Sequence, residues 1–196
     1  MQKYLNAGFC DLIDSLGSDL TIVESARISY GQYHADNTEN LIRFLLKNKH
    51  MSPFEMCQMR FFISAPIFVA RQLMRYRTAK INEISARYTK IKPIFFIPDG
   101  LSVEQESTFR SSYEASYESY LKLLSARVKK ELARAVVPTG LYTQFYYSID
   151  LRNFFNIYAQ RSAKDAQSEI SQLVELMMNA ALECYPTSCR EFLCIQ

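Results

Sequence analysis

The chain has 196 residues and a formal charge of +3, with 48% hydrophobic and 22% charged residues. Those values fit one globular domain over 1–196 and exclude a disordered or collagen-like chain. With only five glycines, neither G-x-G-x-x-G nor G-x-x-x-x-G-K-[ST] can be assembled, which argues against a Rossmann or P-loop nucleotide site.

The first residues carry acids early and lack an apolar core, so the sequence reads as free of an export signal and cytoplasmic. Helical spacing of Leu41, Phe44 and Leu45 predicts a short helix over 40–47. Next comes H-M-S-P-F-E at 50–55. Taken alone, a histidine before a Ser-Pro turn reads as a capping or packing residue. From 57 to 63 the pattern alternates, placing Cys57, Met59, Phe61 and Ile63 on one face of a strand and Gln58, Arg60 and Phe62 on the other. The longest apolar run, 63–70, is interrupted by Ser64 and Pro66 and is too short to span a bilayer.

Pro66 suits the first turn of a helix running to about residue 76. There Arg71, Gln72 and Arg75 share roughly 100° of arc, opposite Val69, Ala70, Leu73 and Met74. Residues 77–92 read as irregular or short-stranded. Ser102 and Gln105 have capping-box spacing and open a long helix towards Arg134, with Tyr113, Tyr117, Tyr120 and Leu124 on one side. Pro138 and Gly140 end it. Residues 142–149 form an aromatic, alternating strand. Helices over 151–160 and 166–184 follow, the second with Ser162 and Asp165 as candidate caps. The mixed order predicts an α+β fold with a small, mostly antiparallel sheet and several helices, one of them long, and not a doubly wound fold.

Between 71 and 92, Arg71, Arg75, Arg77, Lys80, Arg87, Lys90 and Lys92 face only Glu83. Such a cluster suits a polyanion or a phosphorylated small molecule, and equally a solvated basic loop. The segment R-Y-R-T-A-K-I-N-E-I-S-A-R-Y at 75–88 adds amide, carboxylate, hydroxyl and aromatic groups. Arginine forks bind phosphate bidentately, and amide and hydroxyl groups supply directional bonds for a base. Further on, Arg152 and Asn156 lie four apart on one helix face, and Arg161 complements the dipole at that helix end. Covalent catalysis is poorly supported. No G-x-S-x-G is present, only His34 and His50 could activate a nucleophile, and Cys57 lies on an apolar face. Five cysteines without C-x-x-C spacing argue against a disulfide framework or a zinc site.

Taken together, these segments resemble the flavin-dependent (alternative) thymidylate synthases. Their signature is R-H-R, seven residues, then Ser. Here Arg75, Tyr76 and Arg77 are followed by seven residues and Ser85. The resemblance extends through A-R-Q-L-M at 70–74, N-E-I-S-A-R-Y at 82–88, S-A-R-I-S-Y at 25–30, H-M-S-P-F-E at 50–55 and A-R-A-V-V-P at 133–138. It continues through 142–161 and A-Q-S-E-I at 166–170. An ordered series of this kind is specific.

The resemblance implies a homotetramer with active sites at subunit interfaces, flavin adenine dinucleotide (FAD) as cofactor, and conversion of dUMP to dTMP with methylenetetrahydrofolate and NADPH. It implies dUMP contacts at Gln72, Leu73, Met74, Arg75, Glu83, Ile84, Ser85, Ala86, Arg87, Arg134 and Arg161, with Arg161 as the catalytic group. It places the flavin near Ser52, Arg75, Tyr76, Arg77, Glu83, Asp150, Leu151, Arg152 and Asn156, with His50 close to flavin and folate. No metal, membrane or nucleic acid is implied. Two departures stand out: Tyr76 replaces the histidine of the signature, and Asp150 replaces an asparagine at a flavin contact. The alternatives are a catalytically weakened family member that still binds flavin and nucleotide, and an RNA- or nucleotide-binding module using 71–92.

Overall fold

Period-two burial decides which way the central sheet faces. In the computed structural model, which describes residues 2–28, 31 and 38–196, β3 (Gln58–Pro66) buries Met59, Phe61 and Ile63 and leaves Arg60 exposed. β5 (Tyr142–Asp150) likewise buries Phe145, Tyr147 and Ile149. The two strands pair antiparallel with Phe61 opposite Tyr147 and Ile63 opposite Phe145, so large side chains meet across the ladder on the buried face. β1 (Gln2–Tyr4) and β2 (Gly8–Leu16) extend the sheet beyond β3, and β4 (Lys80–Glu83) lies outside β5. The order is β1-β2-β3-β5-β4, with every pair antiparallel. At Gly8 a Cβ would lie 2.4 Å from the Ser64 carbonyl oxygen, so no other residue lets the two backbones approach this closely.

Eight α-helices occur among the described residues. They are α1 (Asp19–Arg27), α2 (Thr38–Lys47), α3 (Ile67–Leu73), α4 (Val103–Ser125), α5 (Lys130–Ala133), α6 (Leu151–Arg161), α7 (Ser168–Cys184) and α8 (Pro186–Ile195). Phe154, Phe155 and Ile157 of α6 and Ile170, Leu173, Val174 and Met177 of α7 join the inner sheet face in one core. A second, smaller core under α4 holds Ile91, Tyr120, Ala133 and Leu141. The α+β expectation is borne out. Among the described residues, no helix is long and apolar enough to cross a membrane.

The predicted side of α4 does its packing through hydroxyls as well as rings. Tyr113 donates to the Phe96 carbonyl (3.0 Å), Tyr117 donates to the Ile91 carbonyl (3.1 Å), and the Tyr120 hydroxyl accepts from the Ile91 amide (3.3 Å). The helix does not reach Arg134. It stops at Ser125, where Arg127 adopts φ 62° and the amides of Arg127 and Val128 bond back to the carbonyls of Leu124 and Leu123. This is a Schellman-type end built without glycine, so the usual sequence signal is missing.

Three further expectations change. α3 ends at Leu73, with Met74 as its C-cap and Pro66 at the N-cap. Its first free amides, on Ile67 and Phe68, bond to the carbonyls of Leu141 and Thr139. α7 takes neither Ser162 nor Asp165 as its cap: Gln167 stands there, and the Ser162 hydroxyl donates to the Tyr158 carbonyl at the end of α6. β1, β2, α1 and α8 lie where no element was predicted. α8 is capped from a distance, since Asp19 of α1 accepts from the amides of Thr187 and Ser188 (2.7 and 2.9 Å) and from the Ser188 hydroxyl (2.6 Å). His34 and the last two residues of S-A-R-I-S-Y, Ser29 and Tyr30, fall outside the described residues.

All five cysteines are free. Burial pushes the Cys57 thiol up to about 11 and the Cys10 thiol up to about 12, as expected of inert core thiols.

α2 is tied to α8 by a forked pair: Arg43 Nε lies 2.6 Å and Nη2 2.7 Å from the two carboxylate oxygens of Glu191. The Arg43 hydrogen bond holds the Glu191 carboxyl below its ordinary range. A depressed carboxylate contributes stability above its unfolded-state value, near about pH 4.3, and loses it as pH falls through the folded value. Acidification from about pH 5 to 3 should therefore lower the melting temperature of the wild type more steeply than that of Glu191→Gln. Parallel melting curves across that window would contradict the linkage.

Candidate functional site

The polar residues singled out in the sequence are gathered into three groups by the sheet and its crossover. The first lies where α3 ends beside the C-terminus of α6. Gln72 Nε2 donates to Gln167 Oε1 (2.7 Å), linking α3 to the start of α7. The Tyr76 hydroxyl donates to Gln160 Oε1 (3.1 Å), and Gln160 Nε2 donates to Asn156 Oδ1 (3.1 Å). Arg161 Cζ lies 5.4 Å from the centroid of the Tyr76 ring. Two buried polar atoms here have no hydrogen-bond partner among the described residues, Arg161 Nε and the Tyr147 hydroxyl. Burial, with Tyr76 nearby as a smaller influence, raises the Tyr147 hydroxyl well above its ordinary value and keeps it protonated. Buried polar atoms are nearly always satisfied in a folded chain, so two orphans in one neighbourhood mark a place built to receive acceptors. Arg71, Arg75 and Arg77 are exposed, and their side chains make no ion pair or hydrogen bond with the described residues. Leu73 is fully buried, so only its backbone is available to a ligand, and Met74 is half-buried.

The second group follows β4. Thr143 donates to Glu83 Oε1 (2.6 Å), fixing the carboxylate against β5, and the Ile84 amide donates to the Gln144 carbonyl (2.9 Å). The Ser85 hydroxyl accepts from the Arg87 amide (3.3 Å), turning the chain after the strand. Arg87 Nε lies 3.7 Å from Glu131 Oε2, and Arg134 Nε donates to the Glu131 carbonyl (3.3 Å). Two guanidinium groups distant in sequence thus flank one residue of α5, while Ala86 packs against the smaller core. Both arginines are exposed. Their arrangement suits a dianionic group, which would outbid the single carboxylate.

The third group surrounds the start of α6. Asp150 is its N-cap, accepting from the Asn153 amide (2.9 Å) and from Asn153 Nδ2 (2.6 Å). An aspartate there is explained by capping, and its charge is engaged within the helix. Arg152 pairs with Glu55. Leu151 is fully buried, whereas Ser52 and Asn156 are exposed. His50 is exposed and edge-on to Phe44, with ring centroids 5.8 Å apart.

Within this chain no hydrogen bond, ion pair or ring contact among the described residues joins the second group to the first or the third. Sequence reasoning brought out the cationic members of each group and missed Thr143, Tyr147, Glu131, Gln160 and Gln167. For Thr143 and Tyr147 a signal was present: both occupy inward positions of an alternating strand, where a polar atom needs a reason. Among the described residues, no cluster of His, Cys, Asp and Glu could hold a metal ion.

The profile of a family described as thymidylate synthase complementing protein matches residues 11–187. The chain is 37% identical over 214 residues to a flavin-dependent thymidylate synthase of Treponema denticola, covering 97% of this chain and 80% of that protein. It is 38% identical over 206 residues to the flavin-dependent thymidylate synthase of Thermus thermophilus, covering 96% and 76%. Among solved structures, it is similar to a UMP/dUMP methylase, PolB, from Streptomyces cacaoi bound with 5-Br dUMP. The TM-score is 0.90 at 31% identity, over 98% of this chain and 97% of that one.

Proposed function

The chain belongs to the flavin-dependent thymidylate synthase family, and from that premise we propose that it methylates dUMP to dTMP. The observation that carries the reading is the likeness, along nearly the whole chain, to a methylase bound with a halogenated dUMP. The carbon comes from methylenetetrahydrofolate and the reducing pair from NADPH; the hydrogen at C5 of the pyrimidine leaves as a proton.

In this reading Gln72 to Arg75, Glu83 to Arg87, Arg134 and Arg161 surround dUMP. The exposed Arg87 and Arg134 take the phosphate. Making C5 nucleophilic places negative charge on the pyrimidine, and Arg161 supplies preorganised N–H groups for it. The buried Nε, without a partner among the described residues, supports that role, because such a donor gives up no bond to them when a ligand arrives. Ser85 binds substrate and does not attack it.

The donor set also fits FAD. Arg75 and Arg77 are exposed cations without side-chain partners among the described residues, and Ser52 and Asn156 are exposed hydrogen-bonding groups. Tyr76, Glu83, Leu151 and Arg152 border the same region, with His50 at the folate side. Asp150 and Arg152 already hold Asn153 and Glu55, so either would reach the cofactor only by sharing or exchanging partners. When bound, the flavin supplies the redox chemistry; the protein's part is to position three ligands.

Residues 1–196 act as one unit of a homotetramer in the cytoplasm. Assembly is supported by the separateness of the second group and by the outer face of the sheet. There Phe9, Phe62 and Tyr146 form a row with centroids 5.1 and 5.0 Å apart, and Tyr146 is 44% exposed. Buried free thiols suit a reducing compartment. The RNA-binding alternative is not favoured, since the relatives are enzymes and the basic segment is divided between two groups.

The test is tritium release from 5-labelled dUMP with FAD, NADPH and methylenetetrahydrofolate, alongside the mass in solution and the flavin absorbance of the purified protein. Release, a flavin spectrum and a tetramer are expected. A stable monomer, or no flavin absorbance and no gain in melting temperature on adding flavin, would count against the reading.

A further inference from the structure

Among the described residues, Arg161 is held by a ring and by no acid. Its Cζ lies 5.4 Å from the Tyr76 centroid, and its Nε is buried with no acceptor among the described residues. Arg161 is half-buried, and burying one of its N–H groups without an acceptor costs free energy, which the contact with the ring helps to offset. The five N–H bonds of a guanidinium all lie in its plane. A ring partner accepts none of these donors as a lone pair would, and so leaves them to a ligand, whereas a carboxylate partner would have occupied two of them. The ring is itself fixed from both ends. The Tyr76 amide donates to the Leu73 carbonyl (3.0 Å) at the end of α3, and its hydroxyl donates to Gln160 (3.1 Å), the residue before Arg161. Gln160 in turn is held by Asn156 one turn earlier (3.1 Å). Ring and guanidinium are thus clamped to the same helix end. A histidine at this position could take up a proton and set a second cation against the guanidinium; a phenol cannot.

We infer that Tyr76 is a positioning residue, whose ring carries Arg161 on its face and presents the free edges of the guanidinium to the pyrimidine. The inference rests on the assignment of Arg161 to dUMP made above. The test uses the flavin-loaded enzyme and reads dUMP affinity by calorimetry together with turnover by tritium release. It compares Tyr76→Leu and Tyr76→Phe, each alone and combined with Arg161→Ala. Tyr76→Leu should weaken dUMP binding by about 2- to 30-fold. Tyr76→Phe should recover most of that loss, and the loss should vanish in the Arg161→Ala background. A series of progressively fluorinated phenylalanines at position 76 keeps the shape while draining the ring face, and affinity should fall stepwise along it. This series decides the matter if Tyr76→Leu does not fold. Undiminished affinity along the series, a folded Tyr76→Leu that binds and turns over like wild type, or a loss that persists with Arg161→Ala, overturns the inference alone. Unchanged dUMP affinity and turnover in Arg161→Ala would instead remove the assignment of Arg161 on which it stands.

Discussion

Replacing Arg161 by alanine should lower turnover of dUMP by about 100- to 1,000-fold, the usual cost of deleting one preorganised donor at a centre of developing charge. The size follows from the site. In water a guanidinium must be reoriented and partly desolvated before it can stabilise an anion. Here Nε is already buried and without an acceptor among the described residues, so that cost was met during folding. Arg161 also closes α6, where the helix carbonyls favour a cation. Its removal should therefore also cost a few tenths of a kcal/mol of stability, at the low end for a dipole contact. Tritium release separates the two effects, since circular dichroism should report an intact fold while release collapses. A folded Arg161→Ala with normal release would remove this residue from the chemistry.

Phe155→Ala should lower stability by about 3–5 kcal/mol. For a chain of this size that corresponds to roughly 6–20 °C in melting temperature. Phe155 is 1% exposed and lies parallel to Phe192 of α8, with centroids 4.1 Å apart and planes at 3°. Its other side meets Phe54 at 6.0 Å. One ring thus joins α6, α8 and the 3₁₀ turn Ser52–Met56 that carries Ser52. Its loss would open a cavity behind the helix that bears Asn156 and Arg161, so nucleotide affinity should fall along with stability. Phe192→Leu, at a half-buried position, should be milder. If scanning calorimetry showed Phe155→Ala within about 1 kcal/mol of wild type, the core would have to be far more able to collapse than its packing indicates.

The two departures from the family signature acquire different meanings once side chains are placed. By residue type alone, Asp150 sets a negative charge where the resemblance implies a flavin contact; in the fold it caps α6, and both its oxygens are engaged by Asn153. Tyr76 looked like the loss of a group able to carry charge. In the fold it is the ring on which Arg161 rests. Neither meaning could be read from spacing, because each depends on where a second residue lies: three positions away across a helix start in one case, and 85 positions away in the other (161 − 76).

Local pattern, read alone, was enough to orient β3 and β5, to find the capping box Ser102/Gln105 and the packing side of α4, and to place the basic segment. These features repeat along the chain with the period of a strand or a helix, so neighbouring residues carry the whole signal. The length of 196 residues likewise pointed to one domain, and the mixed order of helices and strands to an α+β fold. What local pattern missed has two causes. α8 is capped by Asp19 from a distant part of the chain, and α4 is stopped by an arginine in a glycine conformation, which carries no glycine signal. The functional residues follow the same division. Their charges were visible in order, but only the tertiary structure decided that Glu131 would be flanked by Arg87 and Arg134. It alone decided that Arg161 would have its Nε buried beside the Tyr76 ring, with no acid paired to it among the described residues. Contacts of that kind arise from the crossover between β3 and β5, and burial is a property of the packed chain that no short window of sequence contains.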